Sequence, residues 1–244
     1  ELDPGQLHAP FEQALREGHL VPVCFVSARN GAGLPELLNI FEKLLPNPTE
    51  GNPPLFYKGE LVDGQPVEEF RSVPDPKKHV LAHVFKVVVD PYVGKLGIFR
   101  VHQGTITKDT QLFIGSGRKP FKVGHLLMLQ GGKSVDVPSA IPGDIAAVAK
   151  VDEIDFDCVL HDSHDEDHIH MRPLEFPTPM SGVAIQPKRR GDEQRISEVL
   201  NKMTAEDPTL VVEHDSTLNE TVLRGLGELH IRSALERMAQ QYKV

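Results

Sequence analysis

The stretch HVFKVVVDPYVGKLGIFRVHQGTITKD, residues 83–109, constrains the fold most tightly. Residues 84–89 are rich in β-branched side chains, which suit a pleated, half-buried surface. Asp90-Pro91 halts that run, because proline removes a ladder donor and fixes φ. Gly94 then lets the chain reverse. Ile98, Phe99 and Val101 make the return strand, His102-Gln103-Gly104 turns again, and residues 105–107 begin a third strand. Two close turns between apolar strands predict an antiparallel meander or barrel.

The pattern continues with apolar runs at 111–114, 121–129, 135–137 and 145–151. Gly115-Ser116-Gly117, Gly131-Gly132 and Pro142-Gly143-Asp144 punctuate them. Short strands at this spacing predict a closed antiparallel β-barrel over residues 79–161. From Met180 the period changes. Residues 182–186 read as a strand, and Asp192 is placed to cap a helix whose stripe is Ile196, Val199, Leu200 and Met203. Asp207-Pro208 ends it, since the residue before proline avoids the helical region. Strands at 209–214 and 220–224 follow, then a helix over 228–242 burying Ile231, Leu235 and Met238. The order β-α-β-β-α is most of a ferredoxin-like split βαβ.

Ahead of the barrel, residues 10–18 read as a helix end and 21–26 as a short strand. Leu34, Leu37, Leu38, Phe41, Leu44 and Leu45 then fall on one helical face, which is expected to be buried, with Pro35 in the first turn and Pro46 at the stop. Strand, turn and helix predict a partial α/β tail. Residues 47–78 are rich in Pro, Gly and charge, and read as a linker with one strand pair around Asp63-Gly64.

Composition excludes some roles. No apolar run approaches the ~20 residues of a membrane span. Cys24 and Cys158 are too few for a disulfide framework and read as thiols in a reducing compartment. With 26 basic against 35 acidic residues the net charge is −9, which disfavours wholesale coating of nucleic acid while leaving local basic patches free to meet phosphate.

Several of these stretches resemble one family. The Pro-Tyr-Val-Gly-Lys-Leu hairpin at 91–96, the Gly-Thr-Ile turn at 104–106 and Pro142-Gly143-Asp144-Ile145 are similar to the barrel that follows the GTP-binding domain in translational GTPases, elongation factor G above all. Ala205-Glu206-Asp207-Pro208-Thr209 and Gly225-Leu226-Gly227-Glu228-Leu229-His230 resemble that family's third domain. Ser27-Ala28, after a strand and before a helix, resembles its last guanine-binding loop. There are departures: Asp109 stands where a turn glycine is common, and Asp157-Cys158 where Gly-Asp-Thr is usual.

The resemblance implies a multi-domain, mostly β plus α+β chain: residues 1–50 the tail of a GTP-binding domain, 51–78 a linker, 79–161 the barrel, 162–178 an interdomain linker, and 179–244 the ferredoxin-like third domain. The full-length protein is then expected to bind GTP or GDP with Mg²⁺ and the ribosome, through ribosomal RNA and small-subunit proteins. It would act in the cytoplasm as a monomer, coupling hydrolysis to movement of tRNA and mRNA. A sister translational GTPase (ribosome protection, release or recycling) and a non-enzymatic RNA- or protein-binding module are the alternatives. The resemblance also places His230 and Arg237 at an interdomain pocket of the fusidic-acid type.

Catalytic residues are not expected here. Gly131-Gly132-Lys133-Ser134 ends like a phosphate loop, but Leu127 occupies the first glycine position and Pro138 and Pro142 forbid the following helix. Asn201-Lys202-Met203-Thr204 lacks the aspartate of a guanine motif, and Asp-x-x-Gly is absent from the sequence. Only Ser27 and Ala28 are left as a remnant of the nucleotide site, so tight nucleotide binding by these residues alone is not expected. The run His161, Asp162, His164, Asp165, Glu166, Asp167, His168 and His170 carries metal-ligand chemistry, but reads as a solvated turn, with no metal expected. Lys86, Lys95, Arg100, Arg118, Lys119, Lys122, Lys188, Arg189 and Arg190 are basic clusters. They read either as solubilising charge or as RNA contacts, with Lys95, Arg100, Arg118, Lys119, Lys188, Arg189 and Arg190 as the candidates.

Overall fold

The computed structural model describes residues 8–49, 54–59, 68–90, 93–187, 191–218 and 220–244. They fall into two units, divided between Pro54 and Leu55. The first holds α1 (His8–Arg16) and α2 (Leu34–Leu44). Gly33 precedes α2 with φ 75°, and a Cβ there would lie 2.2 Å from the Phe25 carbonyl oxygen, so this turn needs glycine. Two expectations fail here. Residues 21–26 lie in no strand, and Val21, Val23 and Phe25 are exposed. The stripe of α2 contains no buried residue, with Leu38 62% and Phe41 50% exposed. A strand takes its ladder from a neighbour, and an amphipathic face takes its burial from a partner. The described residues of this unit supply neither.

The second unit begins with β1 (Phe56–Lys58) and β2 (Glu68–Phe70), and continues with β3 (Leu81–Asp90), β4 (Gly94–Gln103), β5 (Ile106–Thr107), β6 (Gln111–Ile114) and β7 (Phe121–Lys122). Next come β8 (Leu126–Gln130), β9 (Lys133–Asp136), β10 (Ser139–Ala140), β11 (Ile145–Ala149), β12 (Val159–His161) and β13 (Ile169–Met171). An antiparallel sheet in the order β7-β6-β12-β3-β4-β11-β8-β9 curls around one core. Val84, Phe99, Val101, Leu112, Leu126 and Leu160 are among the side chains fully removed from water there. Each contributes ~1.5–3 kcal/mol by that removal. The short β5–β10 ladder adds Ile106 and Ala140 to the same core.

The expected barrel does not close as a ladder: among the described residues nothing pairs β9 with β7, so the sheet is a half-barrel. The run at 121–129 also breaks, at Val123-Gly124-His125, into β7 and β8. Within the β3–β4 pair the register shifts between Val84 and Lys86. That bulge reverses the inside–outside parity, so Val87 enters the core while Phe85 and Lys86 stay outside.

The two segments read as linkers contribute strands. The sheet β13-β1-β2 joins residues from both, and Phe56 and Ile169 bury against Leu81 and Val159. β1 and β2 flank the expected turn at Asp63-Gly64, which itself lies outside the described residues. The histidine-acid run is likewise more ordered than a solvated turn. His161 is fully buried, with Nδ1 2.8 Å from the Ser163 carbonyl and Nε2 2.6 Å from that of Gly115. Among the described residues no three His, Cys, Asp or Glu side chains gather to hold a metal ion.

Last come β14 (Ser181–Ile185), α3 (Glu193–Glu206), β15 (Val211–Asp215), β16 (Glu220–Gly225) and α4 (Glu228–Arg237), in the expected order. The sheet order is β14-β16-β15. Val199, Leu200 and Met203 of α3 meet Ile231, Ala234 and Met238 over Leu223. Leu235, expected inside, is 37% exposed, and Ala234 takes the buried position. Asp192 precedes α3 without a side-chain cap bond.

Candidate functional site

A polar cluster of the second unit lies where the C-terminal end of α3 meets β3. Asp207 leaves the helical region at φ −127°, as the following Pro208 requires, and α3 stops at Glu206. This turns the Asp207 carboxylate towards α4, where its Oδ2 lies 3.0 Å from His230 Nε2. Its Oδ1 accepts from the Thr209 backbone N–H at 2.9 Å and the Thr209 hydroxyl at 2.6 Å. Burial pushes Asp207 towards neutrality, but the Thr209 bonds and His230 outweigh it and hold the carboxyl below its usual range.

His230 is committed on both sides. Its Nδ1 accepts the Leu226 N–H at 3.2 Å, so Nε2 carries the proton donated to Asp207. Gly225 permits that approach: a Cβ there would sit 3.0 Å from His230 Nδ1. Ser233 lines the same cavity of about 110 Å³, with Met203, Asp207 and Arg237. Serine, histidine and aspartate therefore share a pocket, yet neither imidazole nitrogen is free to take a hydroxyl proton. The trio is structural, not a nucleophile and its base.

Glu206 forms the second half of the cluster. Its Oε1 accepts the Val89 N–H of β3 at 2.6 Å, and its Oε2 lies 2.8 Å from Arg237 Nη2. Beside it a cleft of about 470 Å³ opens between β3 and α4, lined by Lys86, Val88, Asp90, Glu206, Arg237 and Gln241. Tyr242 is held up in pKa by burial, with the Glu206 carboxylate raising it and Arg237 opposing. His230 and Arg237 thus lie together, on one helix and around one cavity. Sequence spacing made neither Glu206 nor Asp207 a site residue, because their partners lie far away along the chain.

The basic candidates separate by what holds them. Lys95 Nζ is bound to the Asp152 carbonyl at 2.8 Å and to Asp155 at 3.0 Å, with its side chain only 14% exposed. Arg100 donates to the Gly143 carbonyl at 3.1 Å. Lys122 pairs with Asp109 at 3.0 Å on the surface. Arg118 and Lys119 are exposed on the connection between β6 and β7. Lys188, Arg189 and Arg190 lie outside the described residues. In the first unit, the Ser27 N–H bonds the Ala32 carbonyl at 2.9 Å and the Ser27 carbonyl accepts the Gly31 N–H at 2.9 Å, closing a tight turn with Ala28 exposed.

Residues 79–156 match the family described as Elongation factor G domain 2, and residues 176–244 match Elongation Factor G, domain III. The chain carries elongation factor G domains 2 and III. Elongation factor G 1 of Syntrophomonas wolfei subsp. wolfei is 29% identical over 244 residues, covering 100% of this chain and 35% of that protein. A crystal structure from Thermus thermophilus superimposes with a TM-score of 0.75 at 29% identity, over 98% of this chain and 32% of that one. The chain thus spans about a third of the length of these relatives. In elongation factor G terms, the half-barrel is domain 2, the β14–α4 unit is domain III, and the Glu206–Val89 contact joins them.

Proposed function

We propose that this chain is the central part of a ribosome-binding translational GTPase of the elongation factor G type, in which GTP hydrolysis drives movement of tRNA and mRNA. The observation that carries the reading is the match to domain 2 followed directly by domain III, in that order and in one unit. In the full-length protein, GTP or GDP with Mg²⁺ occupies a site to which Ser27 and Ala28 contribute the guanine loop. The small residue at 28 lets a main-chain N–H approach the purine edge. The protein works in the cytoplasm as a monomer, with ribosomal RNA and small-subunit proteins as its partners. His230 and Arg237 border an interdomain pocket of the fusidic-acid type.

Arg118 and Lys119 are the strongest RNA-facing candidates, since both are exposed while Lys95 and Arg100 are held by the fold. Phosphate contacts of this kind are salt-dependent and carry no sequence information. Co-sedimentation of the full-length protein with ribosomes, across a salt series, tests the reading. Binding that weakens with salt and is reduced by R118E/K119E is expected. Absence of ribosome binding at low salt contradicts it.

A further inference from the structure

β3 is paired on both sides only near its start. β12 covers Leu81–His83, and Val84 closes that side with two further bonds, its N–H to the Cys158 carbonyl and the Asp157 N–H to its carbonyl. From Lys86 onward the far edge of β3 has no strand beside it among the described residues. An unpaired strand edge carries backbone donors that must be satisfied or solvated. Val89 is buried, and its N–H is satisfied by the Glu206 carboxylate, from a different domain. Glu206 is itself only 14% exposed, and a carboxylate that far from water needs partners. Among the described residues it has two: the Val89 amide on the barrel and Arg237 on α4. The covalent connection between the domains, residues 172–180, has no regular secondary structure and contains Pro173, Pro177 and Pro179.

We propose that Glu206 is an interdomain latch: its charged carboxylate, held by Arg237, captures the free edge of β3 at Val89 and sets the angle between the half-barrel and the third domain. Arg237 is the positioning group, since it fixes the carboxylate that reaches β3. Lys86 and Asp90 of β3 flank the contact, and Asp207 and Tyr242 approach it from the third domain. Removing the carboxylate leaves Val89 without its acceptor and frees the domains to turn about residues 172–180. This property needs no nucleotide and stands apart from the ribosome reading.

Two readouts on the 244-residue chain test it, with E206A and E206Q as variants. The first is amide exchange at Val89, followed by NMR, with Phe99 in the half-barrel core as internal control. The second is the distance distribution between spin labels at K133C and R232C, both exposed positions, in a C24S/C158A background. In E206A, Val89 exchange is expected to rise by about tenfold to a hundredfold, the factor of one charge-assisted hydrogen bond, with Phe99 unchanged. The distance distribution is expected to broaden. Gln retains an acceptor but not the charge that Arg237 holds, so E206Q is expected to broaden it less. An unchanged distribution in E206A overturns the latch, whatever Val89 does. Equal acceleration at Val89 and Phe99 overturns it too, because that is general loosening of the fold. If E206A does not fold, E206Q decides by the same criteria.

Discussion

His102 offers the sharpest test of the half-barrel's energetics. It lies on β4, with Phe56 edge-on at 5.1 Å between ring centroids. Burial, then the nearby His83 and Arg100, lowers its pKa from 6.5 to about 4. Its folded pKa is below its unfolded one, so the unfolded chain takes up a proton first as the solution is acidified. Above pH ~6.5 both states are neutral and the group contributes no pH dependence; between ~6.5 and ~4 stability falls; below ~4 both states are charged and the loss is complete. The interval, at ~1.4 kcal/mol per tenfold in proton affinity, makes a loss of ~3 kcal/mol. Urea unfolding at pH 7 and pH 4 of wild type and H102Q isolates it, because the carboxylates titrate in both proteins. Wild type is expected to lose ~3 kcal/mol more than H102Q over that range. Equal losses, or an NMR titration midpoint for His102 near 6.5, would refute the reasoning.

Other outcomes are expected from single contacts. T209V removes one of three bonds to Asp207 and is expected to cost ~1–2 kcal/mol at pH 7, read by urea denaturation. Because the Asp207 pKa is depressed, its contribution is present at neutral pH and is lost as pH falls through the folded value. The cost of T209V is therefore expected to shrink in acid. G97A places a Cβ 2.6 Å from Ile154 Cγ2, a clash with a fully buried side chain, and is expected to cost ~1–3 kcal/mol. G104A is expected to be worse in the same assay, since its φ is +75° and its neighbour, at 2.6 Å, is the Val80 backbone, which cannot turn aside. K95A is expected to lower thermal stability, whereas R118E is expected to leave it unchanged, a contrast that separates a fold-holding lysine from an exposed arginine.

Much of the fold was legible because it is local. The β3–β4 hairpin is written in a β-branched run, a Pro and a Gly, and the end of α3 in Asp207-Pro208. Asp109 and Asp157, which stand where the family's pattern has glycine, both take positive φ, at 73° and 67°. Aspartate tolerates that conformation better than most residues. What escaped is long-range. The pairing of β1 with β13 joins residues more than a hundred positions apart, and no local pattern marks it. The bulge at Phe85 is a parity change that the run of valines conceals. The strand expected at residues 21–26 and the apolar face of α2 rest on pattern alone, and pattern does not supply the partner. At the candidate site, His230 and Arg237 came from resemblance. Glu206 and Asp207 emerged only when α3, α4 and β3 were brought together.

The most direct measurement of the central claim is GTP hydrolysis by the full-length protein with and without ribosomes. A rate that rises at least about tenfold on ribosomes is expected, a lowering of the barrier by ~1.4 kcal/mol or more. A full-length protein that binds ribosomes but hydrolyses GTP no faster on them would contradict the claim and leave a binding module in its place.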